Sequence, residues 1–311
     1  MNKFQWLVRR ELWEARAVWV APAICAAILV GGTLLAAFGM GTVSVDGLGP
    51  EQLTRLHEQM TAEHVEGIAA VALGGIAFPF YILVLFTQFF YAIDSLYGER
   101  RDRAILFWKS LPVSDAETVL SKLWVAAVVM PVVAAAAALA TQLVVFAIAA
   151  AKLAPLDLPQ LHLWAPSLWG NTLLVMGYGL IAGMLWYLPL VGWALLVSAW
   201  APRSPLMYAS LPPLAVGLAE YIVFHSHHAL AVVGERVGNL GLLGHAFASH
   251  AKGGGFGIVM TAEHLEVPRS LVETMRPAAF FGSAEVWIGV AVGAAFVAAA
   301  IWVRRSRDEA A

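Results

Sequence analysis

Residues able to do chemistry fall into three groups in this 311-residue chain. The first is a charged run, Glu99-Arg100-Arg101-Asp102-Arg103, inside the stretch 94–122, which continues through Trp108-Lys109-Ser110-Leu111-Pro112-Val113-Ser114 to Glu117 and Lys122. The second is a set of nine histidines, all in segments read below as outer loops or outer membrane edges. The cluster His225-Ser226-His227-His228 offers imidazole to a soft or borderline metal, with His245 or His250 as further candidates. No Cys or Met cluster accompanies it and its spacing fits no closed site, so these are read first as loop histidines without a ligand, leaving a pH response of the outer face open. The third group is the sparse polar residues inside apolar segments: Gln88, Gln142, Asn171 and Glu220, with Tyr178 and Tyr187. Intramembrane polar groups face a bundle interior or a pathway, which makes the first four candidate pathway residues. For Glu220 a second reading comes first: it sits near the outer interface and reaches water or a loop histidine.

Several chemistries lack their residues. No GxxxxGK[ST] phosphate loop, no HExxH and no assignable Ser/His/Asp grouping occurs, and Lys252-Gly253-Gly254-Gly255 reads as a flexible loop. The chain is therefore not expected to hydrolyse ATP, to be an enzyme or to carry a cofactor of its own. With a net charge of −2 and no long basic block, nucleic acid is not an expected partner. The single cysteine, Cys25, lies in an apolar run and cannot form an intrachain disulfide.

The elements that must position these residues are membrane helices. The chain is 60% hydrophobic and 13% charged, with a mean hydropathy of +0.74, and its long apolar runs read as an all-α integral membrane protein. Six spans are expected, at about 18–39, 68–92, 123–150, 170–200, 206–224 and 284–303. Residues 2–17 precede them as an amphipathic helix whose Trp6 and Trp13 share a face, suited to the surface of the cytosolic leaflet. The first span is expected to be retained, not cleaved as a signal. Gly31, Gly32 and Gly39 suggest close approach of another helix, as do Gly289 and Gly293 in GxxxG spacing. Residues 170–200 are too long for one upright crossing, and Pro189 marks the expected break. Pro131 is expected to kink span three. A short outer helix is expected over 50–66, and the long outer loop 225–283 shows helix-like character near 228–250 and 262–275. Thirteen of the nineteen Lys and Arg fall in the termini, 94–122 and the 201–205 turn, which places both termini in the cytosol. No break marks a second domain.

Within 94–122, Ser114-Asp115-Ala116-Glu117 has the form of a capping box, so a helix should start at Ser114 and run into span three. Pro112 ends whatever precedes it, giving helix, sharp turn, helix. Arginines that only enforced orientation would need neither the apolar Ile105-Leu106-Phe107-Trp108 nor the cap.

The order of amphipathic helix, two spans, charged elbow and four more spans resembles permease subunits of type-2 ABC exporters. The match at residue level lies in Asp94, Glu99-Arg100-Arg101, Leu106, Trp108 to Ser114, Ser121 and Lys122. The resemblance implies that 94–122 supplies connecting and coupling helices that dock on a nucleotide-binding ATPase subunit. Glu99, Arg100, Arg101, Arg103, Leu111, Pro112, Val113, Ser114 and Glu117 would be the coupling residues. It implies ATP and magnesium on that partner, a second permease half (self or homologous), and export across the cytoplasmic membrane of an amphipathic peptide antibiotic, lipid or drug-like compound. Two other readings stand beside it: a membrane enzyme or redox subunit using histidines, and a sensor or scaffold that couples an ATPase to an outer signal without transport.

Overall fold

The computed structural model describes residues 3–39, 62–102, 113–154, 163–237, 259–260, 265–266 and 271–307. Helix dominates them, and six helices are long and apolar enough to cross a bilayer, which makes this a multi-pass membrane protein. Helix α1 (Lys3–Glu14) is followed, after a break at 15–16, by α2 (Ala17–Gly39). Next come α3 (Ala62–Arg101), α4 (Asp115–Leu153), α5 (Pro166–Trp186), α6 (Leu188–Trp200) and α7 (Pro205–Phe224). A shorter α8 (His228–Val237), a two-residue antiparallel pairing of Val259–Met260 with Leu265–Glu266, and a 3₁₀ turn (Leu271–Thr274) lead to α9 (Pro277–Gly282) and α10 (Ala284–Arg307). The helical character expected near 262–275 is thus replaced at Leu265–Glu266 by strand. Pro268, two residues on, has no amide proton and biases its predecessor toward extended backbone. Of the outer helix expected over 50–66, residues 50–61 lie outside the described part, and from Ala62 the chain already belongs to α3.

Helix α3 does not stop at the charged run but carries it. From Glu66 to Arg101 it has 36 residues, about 54 Å at 1.5 Å each, against a hydrocarbon core of about 30 Å. Its last turns therefore project beyond the apolar layer. Helix α4 starts as its sequence dictates. The Ser114 hydroxyl accepts from the Glu117 amide at 3.1 Å, and the Glu117 carboxylate accepts from the Ser114 amide at 2.9 Å. A π-helical turn interrupts α4 at Val125–Val129, just before Pro131. The Met130 amide reaches back to the Val125 carbonyl, and residue 131 has no amide proton to offer the next one, Ala126. Pro131 thus relieves its strain through a π turn.

The expected break in 170–200 occurs at Tyr187, between α5 and α6, with Pro189 in the first turn of α6. Helix α6 has 13 residues, and its Val191, Ala194, Leu195 and Val197 form the centre of the largest apolar core together with Ile93, Leu96, Val119 and Ala300. Glycines bring α6 against α10: a Cβ on Gly192 would lie 2.7 Å from the Gly293 carbonyl oxygen, and one on Gly293 would lie 2.8 Å from backbone atoms of Leu188 and Pro189. By contrast, a Cβ on Gly31, Gly32 or Gly39 of α2 would meet no atom within 4 Å among the described residues, so no close approach is made there by them. Helix α7 is bounded by two residues in left-handed backbone, Ser204 (φ 39°) and His225 (φ 51°), where the chain reverses without glycine.

Contacts sort the bundle into two ends. Helix α1, the end of α3, the start of α4, the end of α6 and the end of α10 meet at one, the charged end. The start of α3 meets the start of α5 at the other, where Ser167 donates to Glu66 at 2.9 Å.

Candidate functional site

At the charged end, four helices are joined by ion pairs buried from solvent. The Glu11 carboxylate of α1 accepts from Lys122 of α4 at 2.8 Å and from the Tyr91 hydroxyl of α3 at 2.8 Å. Lys122 lies 3.1 Å from Glu99 of α3. Glu99 also meets Arg304 of α10 at 2.8 Å and Arg10 of α1 at 3.3 Å, and Arg304 reaches Asp115 at 3.0 Å. Glu11, Glu99, Lys122 and Arg304 have side chains exposed by only 2–6%. Three acids and three bases alternate, so no charge is stranded where stranding would be costly. Arg10 remains firmly charged: burial works against its charge, but Glu14, Glu11 and Glu99 outweigh it and raise its pKa. Every charge in this hub is spent on another, so its chemistry is mechanical. A displacement of α1 or of the start of α4 must move α3 and α10, or break pairs.

The residues singled out in 94–122 divide. Glu99 is the hub's centre and turns inward. Arg100 also turns inward, donating to the Ser198 and Ala201 carbonyls at 2.6 and 3.0 Å, where it caps the end of α6. Arg101 points outward, half exposed, near Asp94 and Asp102. Ser114 and Glu117 form the cap, with Val113 just ahead of it. Arg103, Leu111 and Pro112 lie outside the described residues. Sequence reasoning missed Glu11, Ser198 and Arg304. Glu11 had a signal, since an acid four residues after Leu7 shares its helical face, and both are buried. Ser198, whose hydroxyl accepts from the Leu96 and Tyr97 amides at 2.9 Å, had none beyond being a polar residue in an apolar run.

Midway along the spans, α3, α4, α5 and Tyr187 line a partly open, largely apolar cavity of about 180 Å³. Two of the four candidate pathway residues line it. Gln88 donates to the Ala126 carbonyl at 2.7 Å, the carbonyl that the π turn and Pro131 leave short of a backbone donor. Gln142 donates to the Leu73 carbonyl at 2.8 Å. Tyr81 and Tyr187 share a hydroxyl–hydroxyl hydrogen bond at the cavity wall beside the α5–α6 break. Asn171 is half-buried and outside the lining. Glu220 is remote from it, accepting from Ser226 at 2.6 Å and from the His228 amide at 2.8 Å, so it closes the turn between α7 and α8. His225 serves as the left-handed end of α7, and His227 stacks on Tyr221. Among the described residues no three His, Cys, Asp or Glu side chains converge as metal ligands.

At the end opposite the hub, Arg236 of α8 lies 4.1 Å over the Trp186 ring and donates to the Trp186 and Glu285 carbonyls at 3.1 and 2.6 Å. Its guanidinium fills the space beside Gly289, where a Cβ would come within 2.5 Å. The GxxxG pair therefore serves two neighbours, with Gly293 meeting α6 and Gly289 meeting Arg236. Comparison of the chain with family profiles, curated proteins and solved structures finds no match to any of them.

Proposed function

We propose that the chain is the permease subunit of an ATP-driven exporter of the type-2 ABC class, with its charged end in the cytosol. The observation that carries this reading is the joint between α3 and α4. A membrane protein that merely turned around there would need a short polar loop. Here a capped helix start and the end of a long helix flank the turn, and buried ion pairs lock both to α1 and α10. A push on the turn would be delivered to four helices at once. The cargo path would run beside α3 and α4, whose central segments line the cavity, and a second permease half would complete it. The charge-poor spans suit an amphipathic load. Binding of ATP to the partner and of cargo to the permease would then be thermodynamically linked.

Purification of the tagged chain from its native membrane, followed by mass spectrometry, tests this. A Walker-motif ATPase is expected to copurify. Arg101→Ala combined with Leu111→Ala is expected to remove it while leaving the permease folded; Arg100 is kept, because it caps α6. An ATPase-free preparation, or an unchanged complex with unchanged ATPase rates in the double variant, overturns the docking assignment. The second outcome favours a bundle that carries no motor at this turn.

A further inference from the structure

We infer that the cavity between α3, α4 and α5 is a binding site for an uncharged apolar molecule carrying one hydroxyl or amide N–H donor. This rests on the permease reading only in calling the ligand cargo; the binding itself follows from the cavity. The Gln142 Oε1 is buried and has no hydrogen-bond partner, on a residue 1% exposed that lines the space. Its orientation is fixed, because the same amide's nitrogen is committed to the Leu73 carbonyl. A buried acceptor left unmade is costly, and the cavity lined by Gln142 is the adjoining space from which a ligand donor would be supplied once the wall gives way around it. Thr172, also lining the cavity, has given its proton to the Leu168 carbonyl and presents only acceptor capacity. In the Tyr81–Tyr187 pair one hydroxyl donates to the other, leaving one proton for a ligand acceptor. Among the described residues no Asp, Glu, Lys, Arg or His lines the cavity, so a charged ligand would lose its hydration without an opposite charge to replace it. The size suits a single ring or a short chain: a dry cavity of about 150 Å³ holds benzene. The space is partly open and Phe78, which lines it, is 38% exposed on the spanning helix α3, so a ligand would enter from the side of the bundle.

The test uses the full chain in neutral-lipid nanodiscs and three fluorinated single-ring probes, read by ¹⁹F NMR against empty discs. 4-Fluorophenol has the donor, fluorobenzene lacks it, and 4-fluorobenzoate is charged. A saturable protein-bound signal is expected for the phenol, about tenfold weaker binding for fluorobenzene, and none for the benzoate. Gln142→Leu should erase the phenol's advantage and keep fluorobenzene binding. Ala138→Phe, which fills the space, should abolish both. Equal binding of phenol and fluorobenzene to the unaltered chain, saturable benzoate binding, or phenol binding that survives Ala138→Phe each overturns the assignment, and so does a signal no different from empty discs. Because no ATPase is present, loss of ATPase copurification with intact phenol binding removes the exporter and leaves the site, whereas the reverse result removes the site alone.

Discussion

Glu99 and Arg101 stand two residues apart and differ in everything that sets their energetic weight. Glu99 is surrounded by Lys122, Arg304 and Arg10 at 2.8–3.3 Å, away from water. Replacing it by glutamine keeps the shape and removes the charge, leaving three cations to face a neutral amide. Breaking a buried pair in this way costs about 3–5 kcal/mol. Glu99→Gln is therefore expected to lower the unfolding midpoint sharply in a mixed-micelle titration, or to prevent accumulation in the membrane. Arg101 is 55% exposed, and its ion pairs contribute little to stability. Arg101→Ala is expected to leave the same midpoint essentially unchanged. Equal effects of the two substitutions would show that the hub is not the stabilising joint its geometry describes. The same contrast bears on partner binding, since among the arginines at the end of α3 only Arg101 is both described and free to be touched from outside.

At the scale of elements, glycine contacts separate packed helices from unpacked ones. Gly293→Val puts branched carbon where the Leu188 and Pro189 backbone already lies 2.8 Å from an ideal Cβ. Helices α6 and α10 must separate, at a cost of about 1–3 kcal/mol. Gly31→Ala in α2 meets open space and should be neutral or stabilising by up to about 1 kcal/mol. Unfolding midpoints of the two variants check the pair, and a destabilising Gly31→Ala beside a harmless Gly293→Val would contradict the packing. The elements also show what could be read from the chain alone. The Ser114 cap was legible because it needs only four consecutive residues. The break near Pro189 was legible because 31 residues cannot cross upright and proline marks the weak point. The hub was not, because it pairs Glu11 with Lys122, 111 positions away, and composition carries no record of such pairings. Nor was the cavity: Gln88 and Gln142 stood out as polar residues, but the carbonyls they meet, Ala126 and Leu73, lie 38 and 69 positions away.

For the whole molecule, the cytosolic placement of the charged end is a proposal that rests on the distribution of charge. The described basic residues assigned to the inside, among them Arg10, Arg100, Lys122 and Arg304, converge on one end of the bundle although they come from four helices. An excess of Lys and Arg near the span ends retains that side in the cytosol. Single cysteines in a Cys25→Ala background test the orientation directly. Glu235→Cys lies on exposed α8 at the far end, and Ser306→Cys on the exposed end of α10. In intact spheroplasts a membrane-impermeant maleimide is expected to label the Glu235 position, and the Ser306 position only after permeabilisation. Labelling in the opposite order would put the hub outside, away from ATP. The exporter reading would then fall with it, because a motor that binds cytosolic nucleotide cannot push on a turn across the membrane. The cavity, lying between the two ends and lined from three spans, would keep its ligand chemistry under either orientation.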